Sequence, residues 1–132
     1  MAGLYLDTSA LGRVLLAEPD AAAIRAALAR YDAWWSSALL IVELRRLAAR
    51  EGLQTIAEGL LRGVRTVPLD GAALERSSRL QPLEVRSLDA IHLDAAIQLP
   101  GAGDVADVLT FDRQLQAGWA HHDLPVQAPT AL

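Results

Sequence analysis

The chain has 132 residues, 52% of them hydrophobic and 21% charged, with a net charge of −4 and no Cys. That length suits a single domain spanning residues 1–132, and the apolar content excludes intrinsic disorder. The absence of Cys excludes disulfide scaffolds, thiol nucleophiles, thiolate zinc sites and iron–sulfur clusters, and all 12 basic residues are Arg, which excludes mechanisms built on a lysine amine.

Gly3 to Leu6 is an apolar run ending at Asp7 and predicts a buried strand. Ser9 is placed to cap a helix over 10–17, stopped by Pro19, and Asp20 to cap a second over 21–31. Trp34 to Ser36 predicts a second strand. Ser36 or Ser37 then opens a long helix over 38–50, ended by Gly52, and another helix covers 53–62. Arg65 to Leu69 predicts a strand whose Pro68 marks its end or a sheet edge. Asp70 caps 72–80 and Ser87 caps 88–99; a Pro-Gly loop follows at 100–103. A strand over 105–111, a short helix over 113–117 and a last short strand near Val126 complete the chain. Strands alternating with helices predict an α/β fold with a parallel sheet covered on both faces.

No targeting segment is expected, because Met1 to Leu6 is too short for a signal h-region. The longest uncharged run, Ala33 to Val42, is ten residues and cannot span a bilayer. The absence of Cys fits a reducing, cytoplasmic setting.

Ligands of an open parallel sheet bind beyond the carboxyl ends of its strands. Asp7 ends the first strand there, and Asp112 ends the 105–111 strand. Asp104 and Asp107 fall toward the other end, Asp107 about 16 Å from Asp112 along an extended chain. Glu43 interrupts a helix stretch that is apolar nearly all round, so it must be paired, protonated or bound to a cation. Asp89 lies in the first turn of the Ser87 helix, and Asp94 is turned about 140° away from it.

Each acid has a structural use as well: Asp7 in a turn, Glu43 paired with Arg46 or Arg50, Asp89 against the helix dipole, Asp112 as a cap. Four carboxylates converging on one edge would repel and raise one another's pKa values, and a divalent cation relieves that. Metal-assisted phosphodiester hydrolysis uses such a constellation.

His92, three residues after Asp89, is expected to be packed or hydrogen-bonded rather than a ligand, and His121 and His122 point apart. No G-x-S-x-G elbow and no G-x-G-x-x-G fingerprint is present. The net negative charge argues against general nucleic-acid binding but leaves room for a local Arg patch, with Arg13, Arg86 and Arg113 as candidates for RNA phosphates.

Four segments together, 4–11 (LYLDTSAL), 42–46 (VELRR), 87–93 (SLDAIHL) and 109–115 (LTFDRQL), resemble the PIN domain, and within it the VapC group of toxin ribonucleases from bacterial toxin–antitoxin pairs. The resemblance implies a three-layer α/β/α sandwich with a central, mostly parallel sheet. It implies an Mg²⁺- or Mn²⁺-dependent endoribonuclease, usually a homodimer. It also implies a VapB-like antitoxin whose C-terminal segment covers the acidic site. Carried over by position, the acidic residues are Asp7, Glu43, Asp89 and Asp112, with Ser9 and Thr110 as auxiliary hydroxyls. Asp7, Asp89 and Asp112 would ligate the metal; Glu43 would bind metal or orient water. Asp94 departs from the Ala common in relatives, as a surface substitution or as added charge near the site. A haloacid-dehalogenase or receiver-type phosphoryl chemistry also ends its first strand in Asp but needs a lysine, which is absent. A PIN-like binding or scaffold module without activity is the remaining alternative.

Overall fold

A computed structural model describes residues 3–99 and 107–127. The first strand, β1 (Gly3–Leu6), is buried along its whole length. Successive side chains of a strand point to opposite faces, so Leu4 and Leu6 enter one core and Tyr5 the other. This explains why the strand is apolar throughout rather than alternating: a parallel sheet covered on both faces has no wet side.

The first face is covered by α1 (Thr8–Leu15), α2 (Ala21–Leu28), α3 (Leu39–Glu51) and α4 (Gln54–Arg62). Leu11, Ile24, Leu40 and Leu44 fill that core with essentially no exposure, each worth about 2 kcal/mol relative to an exposed side chain. The second face is covered by α6 (Ser87–Ile97) and α7 (Arg113–His121), through Leu93, Leu115 and Trp119 packed around Tyr5. The remaining helix, α5 (Gly71–Ser78), packs on α6.

The other strands are β2 (Ala33–Ser37), β3 (Val64–Val67), β4 (Asp107–Leu109) and β5 (Val126–Gln127). The order is β3-β2-β1-β4-β5 and every pairing is parallel. The chain builds outward from β1 to β3, then returns to the other side of β1. The switch point lies between β1 and β4, where α/β sheets open a crevice beyond their strand ends. The three-layer architecture follows as expected, with β3 at an edge where Pro68 is tolerated.

Several element boundaries differ from the sequence expectation. The first helix starts at Thr8, not after Ser9, because Oδ1 of Asp7 accepts the Ala10 N–H and is the cap. Asp20 sits at the cap position of α2 without capping it, since Arg13 Nε donates to both of its oxygens at 3.0 and 2.9 Å. That helix ends at Leu28, whose carbonyl is taken by the Trp34 indole at 2.9 Å. Ser37 accepts the Leu39 N–H at 3.1 Å, and Gly52, at φ +68°, ends α3 in the left-handed conformation that favours glycine. Ser87 is the first helical residue of α6 rather than its cap. Strand β4 ends at Leu109 rather than at Phe111, residues 105–106 of the expected strand lying outside the described residues, and α7 runs on to His121. The loop at 100–103 and Asp104 lie outside the described residues.

Candidate active site

Two strand ends and two helices meet at the switch point. Asp7 follows β1 directly and is 3% exposed. Ser9 Oγ donates to its Oδ1 at 2.7 Å, and Thr110 Oγ1 donates to its Oδ2 at 2.7 Å. Each hydroxyl in turn accepts a backbone N–H, Phe111 onto Ser9 at 2.8 Å and Asp112 onto Thr110 at 3.0 Å. Ser9 and Thr110 therefore tie the end of β1 to the loop after β4, and Asp7 is the knot. Burial pushes the Asp7 carboxyl above its ordinary pKa; nearby His92 and the hydrogen bonds from Thr110, Ser9 and Ala10 offset part of that rise.

Asp112 is half-buried and caps α7, its Oδ1 accepting the Leu115 N–H at 2.9 Å. The structural use foreseen for it is real, and one carboxylate oxygen serves it. Gln116 Nε2 donates to the Thr110 carbonyl at 2.9 Å and braces the same loop.

Glu43 projects from the second turn of α3. It pairs with neither Arg46 nor Arg50. Its Oε1 accepts from Thr8 Oγ1 at 2.6 Å and lies 2.9 Å from His92 Nε2. Burial alone would raise its pKa, but the hydrogen bonds from His92 and Thr8 and the proximity of His92 outweigh burial and hold it below the ordinary value.

Asp89 lies in the first turn of α6. Its pKa is pushed up to about 6, first by burial, then by the charges of Asp112 and Asp7, and further by Glu43, against an opposing effect of His92.

The remaining candidates divide. Asp107 lies at the opposite end of the sheet, paired in register with Leu4, and accepts the Tyr31 hydroxyl at 2.5 Å. Asp94 is neither a surface residue nor part of the acidic edge: it is 2% exposed and held by Arg76, Nε to Oδ1 3.0 Å. Arg13 is committed within the chain, paired with Asp20 and stacked 4.9 Å over the Phe111 ring. Arg86 and Arg113 are exposed beside Asp89 and Asp112 in sequence. His122 reaches the Gln81 carbonyl at 2.6 Å.

Sequence reasoning missed Thr8 and Tyr5 as site residues. Thr8 had a signal, its adjacency to Asp7. Tyr5 had none, because an apolar strand residue and a hydrogen-bonding one read alike.

All the donors are carboxylates, the ligand chemistry of hard divalent cations. As they lie, however, no three Asp, Glu or His side chains among the described residues are arranged to hold a metal ion. The chemistry of the set fits a cation; a completed cage is not present.

The PIN domain family matches residues 4–118 of the chain. The chain belongs to the PIN domain family. This PIN domain is also similar to three proteins of Mycobacterium tuberculosis. It is 32% identical to ribonuclease VapC47 of strain CDC 1551 / Oshkosh over 98% of both chains. It is 31% identical to ribonuclease VapC46 of strain ATCC 25618 / H37Rv over 98% of this chain and 100% of that one. Ribonuclease VapC35 of strain CDC 1551 / Oshkosh is 30% identical over 96% of each. The resemblance read from four short segments thus extends over nearly the whole length, and this PIN domain is of the VapC type. Among the described residues no helix is long and apolar enough to cross a membrane.

Proposed function

We propose that this PIN domain is an Mg²⁺- or Mn²⁺-dependent endoribonuclease, the toxin of a toxin–antitoxin pair, acting in the cytoplasm. The observation that carries the reading is the buried Asp7 at the switch point, with both oxygens held by Ser9 and Thr110 and with Glu43 held nearby by Thr8 and His92. The names of its VapC relatives support ribonucleolytic action. In this reading Asp7, Asp89 and Asp112 would hold the cation, which would supply charge stabilisation for a scissile phosphodiester and a more nucleophilic water.

The chain's own residues do the rest. Ser9 and Thr110 hold both oxygens of Asp7 in place. Glu43 accepts a hydrogen bond from the attacking water and orients it. Asp112 keeps one oxygen on its helix and offers the other. Arg86 and Arg113, both exposed, engage RNA phosphates. Arg13 is left out of that role, because Asp20 and Phe111 already use its guanidinium. A VapB-like antitoxin covers the acidic edge, and the protein works as a homodimer.

The second reading is a PIN-like binding module without activity, favoured by the lack of a three-ligand cage among the described residues. Purified protein, freed of antitoxin, separates the two readings. Wild-type chain is expected to cut RNA with Mg²⁺ or Mn²⁺, to stop in EDTA, and to lose cutting in Asp89→Asn. Equal cutting by wild type and Asp89→Asn would refute the site. No cutting together with no calorimetric Mn²⁺ binding would establish the module.

A further inference from the structure

The His92 ring is 2% exposed and bridges Glu43 and Tyr5, a link that the proposed chemistry does not use. Its Nε2 lies 2.9 Å from Glu43 Oε1 and its Nδ1 lies 2.8 Å from the Tyr5 hydroxyl. A carboxylate only accepts, so Nε2 carries the hydrogen on that side. In the neutral ring Nδ1 is then bare and requires a donor. Tyr5 is placed to be one: its oxygen accepts the Ser37 N–H at 3.0 Å, and its own hydrogen remains to be given. The ring also meets Tyr5 edge-on, with centroids 6.0 Å apart, which fixes its plane.

Glu43 is therefore gripped from two elements, by Thr8 on α1 and His92 on α6. Both bonds fall on Oε1; among the described residues Oε2 receives none. A long, flexible carboxylate is thus held by one oxygen, and the other is left for a ligand. Through Tyr5 and Glu43 the His92 ring links β1, α3 and α6.

We infer that His92 is a positioning residue: the Tyr5 hydroxyl and the Glu43 carboxylate together hold its neutral ring in the Nε2–H form, and that form clamps Glu43 by Oε1 so that Oε2 is preset for a ligand. The consequence for cleavage rests on the nuclease reading above; the clamp itself does not. Removing a group that orients a ligating or water-holding side chain costs roughly 10–100-fold in activity.

The test uses the full-length protein with ¹⁵N-labelled histidine, and reads both ring nitrogens by NMR without metal. His92→Gln identifies the His92 signals by their loss. Wild type is expected to show the Nε2–H form, and Tyr5→Phe a mixture of both forms. A wild-type ring in the Nδ1–H form, or a Tyr5→Phe ring unchanged, overturns the lock. Kinetics with Mn²⁺ and RNA provide the second arm. His92→Leu is expected to lower kcat about 10–100-fold with KM nearly unchanged, and His92→Gln, which keeps an N–H at the same reach, to recover most of it. A folded His92→Leu protein with wild-type kcat, or a Gln variant no better than Leu, overturns the positioning role. If His92→Leu does not fold, the comparison of His92→Gln and Tyr5→Phe with wild type decides, and equal kcat in Tyr5→Phe counts against the lock. Wild-type protein that cuts no RNA defeats the nuclease reading, while the nitrogen signals still decide the clamp.

Discussion

Thr110 Oγ1 stands 2.7 Å from Asp7 Oδ2, joining the residues that follow β1 and β4 across the switch point of the sheet. Both residues are buried, so the bond has no water to replace it. Thr110→Val keeps the shape and removes the donor, and it also strips the Asp112 N–H of its acceptor. We expect a loss of about 1–3 kcal/mol in chemical denaturation, together with an activity loss of roughly tenfold or more. Unchanged stability would mean that Asp7 finds another donor.

Asp112 has two roles that one pair of substitutions separates. Asn caps a helix as well as Asp does, so Asp112→Asn should leave the melting temperature near wild type while abolishing cleavage. Asp112→Ala should lose cleavage and also about 1 kcal/mol of stability. Asp107→Asn, at the far end of the sheet beside Tyr31, should cut RNA at close to the wild-type rate. A dead Asp107 variant beside an active Asp112 variant would reverse the assignment.

Asp94 is buried within α6, and the partly exposed Arg76 reaches it from α5. Arg76→Ala strands a carboxylate away from water, whereas Arg76→Ala with Asp94→Ala removes both charges. Thermal unfolding is expected to show the single variant as the less stable of the two. The single variant should melt lower than wild type by roughly 5 °C or more. Cleavage at permissive temperature should be retained in both, and its loss would place Asp94 in the chemistry after all.

The metal-free protein should lose stability as pH rises from about 4 to about 6. The Asp89 carboxyl is raised to about 6 in the folded state from an ordinary value of 3.8. The folded chain therefore binds more protons than the unfolded one in that window, and unfolding becomes easier with rising pH. Asp7, also raised, acts in the same direction, and Glu43, lowered, acts against it. Asp89 is half-exposed, so its share, discounted for screening by solvent, is on the order of 1 kcal/mol. Denaturation in EDTA at several pH values should show Asp89→Asn more stable than wild type at pH 7 and level with it near pH 4. A pH-independent difference would mean that Asp89 titrates normally.

Much of this protein was legible in its residues alone. The apolar run Leu4-Tyr5-Leu6 demanded a strand covered on both sides, and Asp7 at its end had to lie at the carboxyl edge. Glu43 among Leu40, Ile41, Val42 and Leu44 announced a charge that needed company. These inferences succeed because they rest on local periodicity and on the desolvation cost of a carboxylate, both of which are properties of the chain itself. The caps went less well: Asp7 rather than Ser9 opens α1, and Arg13 draws Asp20 away from α2, because a side chain's hydrogen-bond partner is chosen by whatever the fold brings within reach. Asp94 shows the same limit: only the packing of α5 on α6 delivers Arg76 to it. Likewise Tyr5, His92 and Glu43 lie on three different elements, 87 residues apart at the Tyr5–His92 bond. Sequence determined which groups had to be satisfied; the tertiary structure decided by whom, since a hydrogen bond depends on position in space and not on order along the chain.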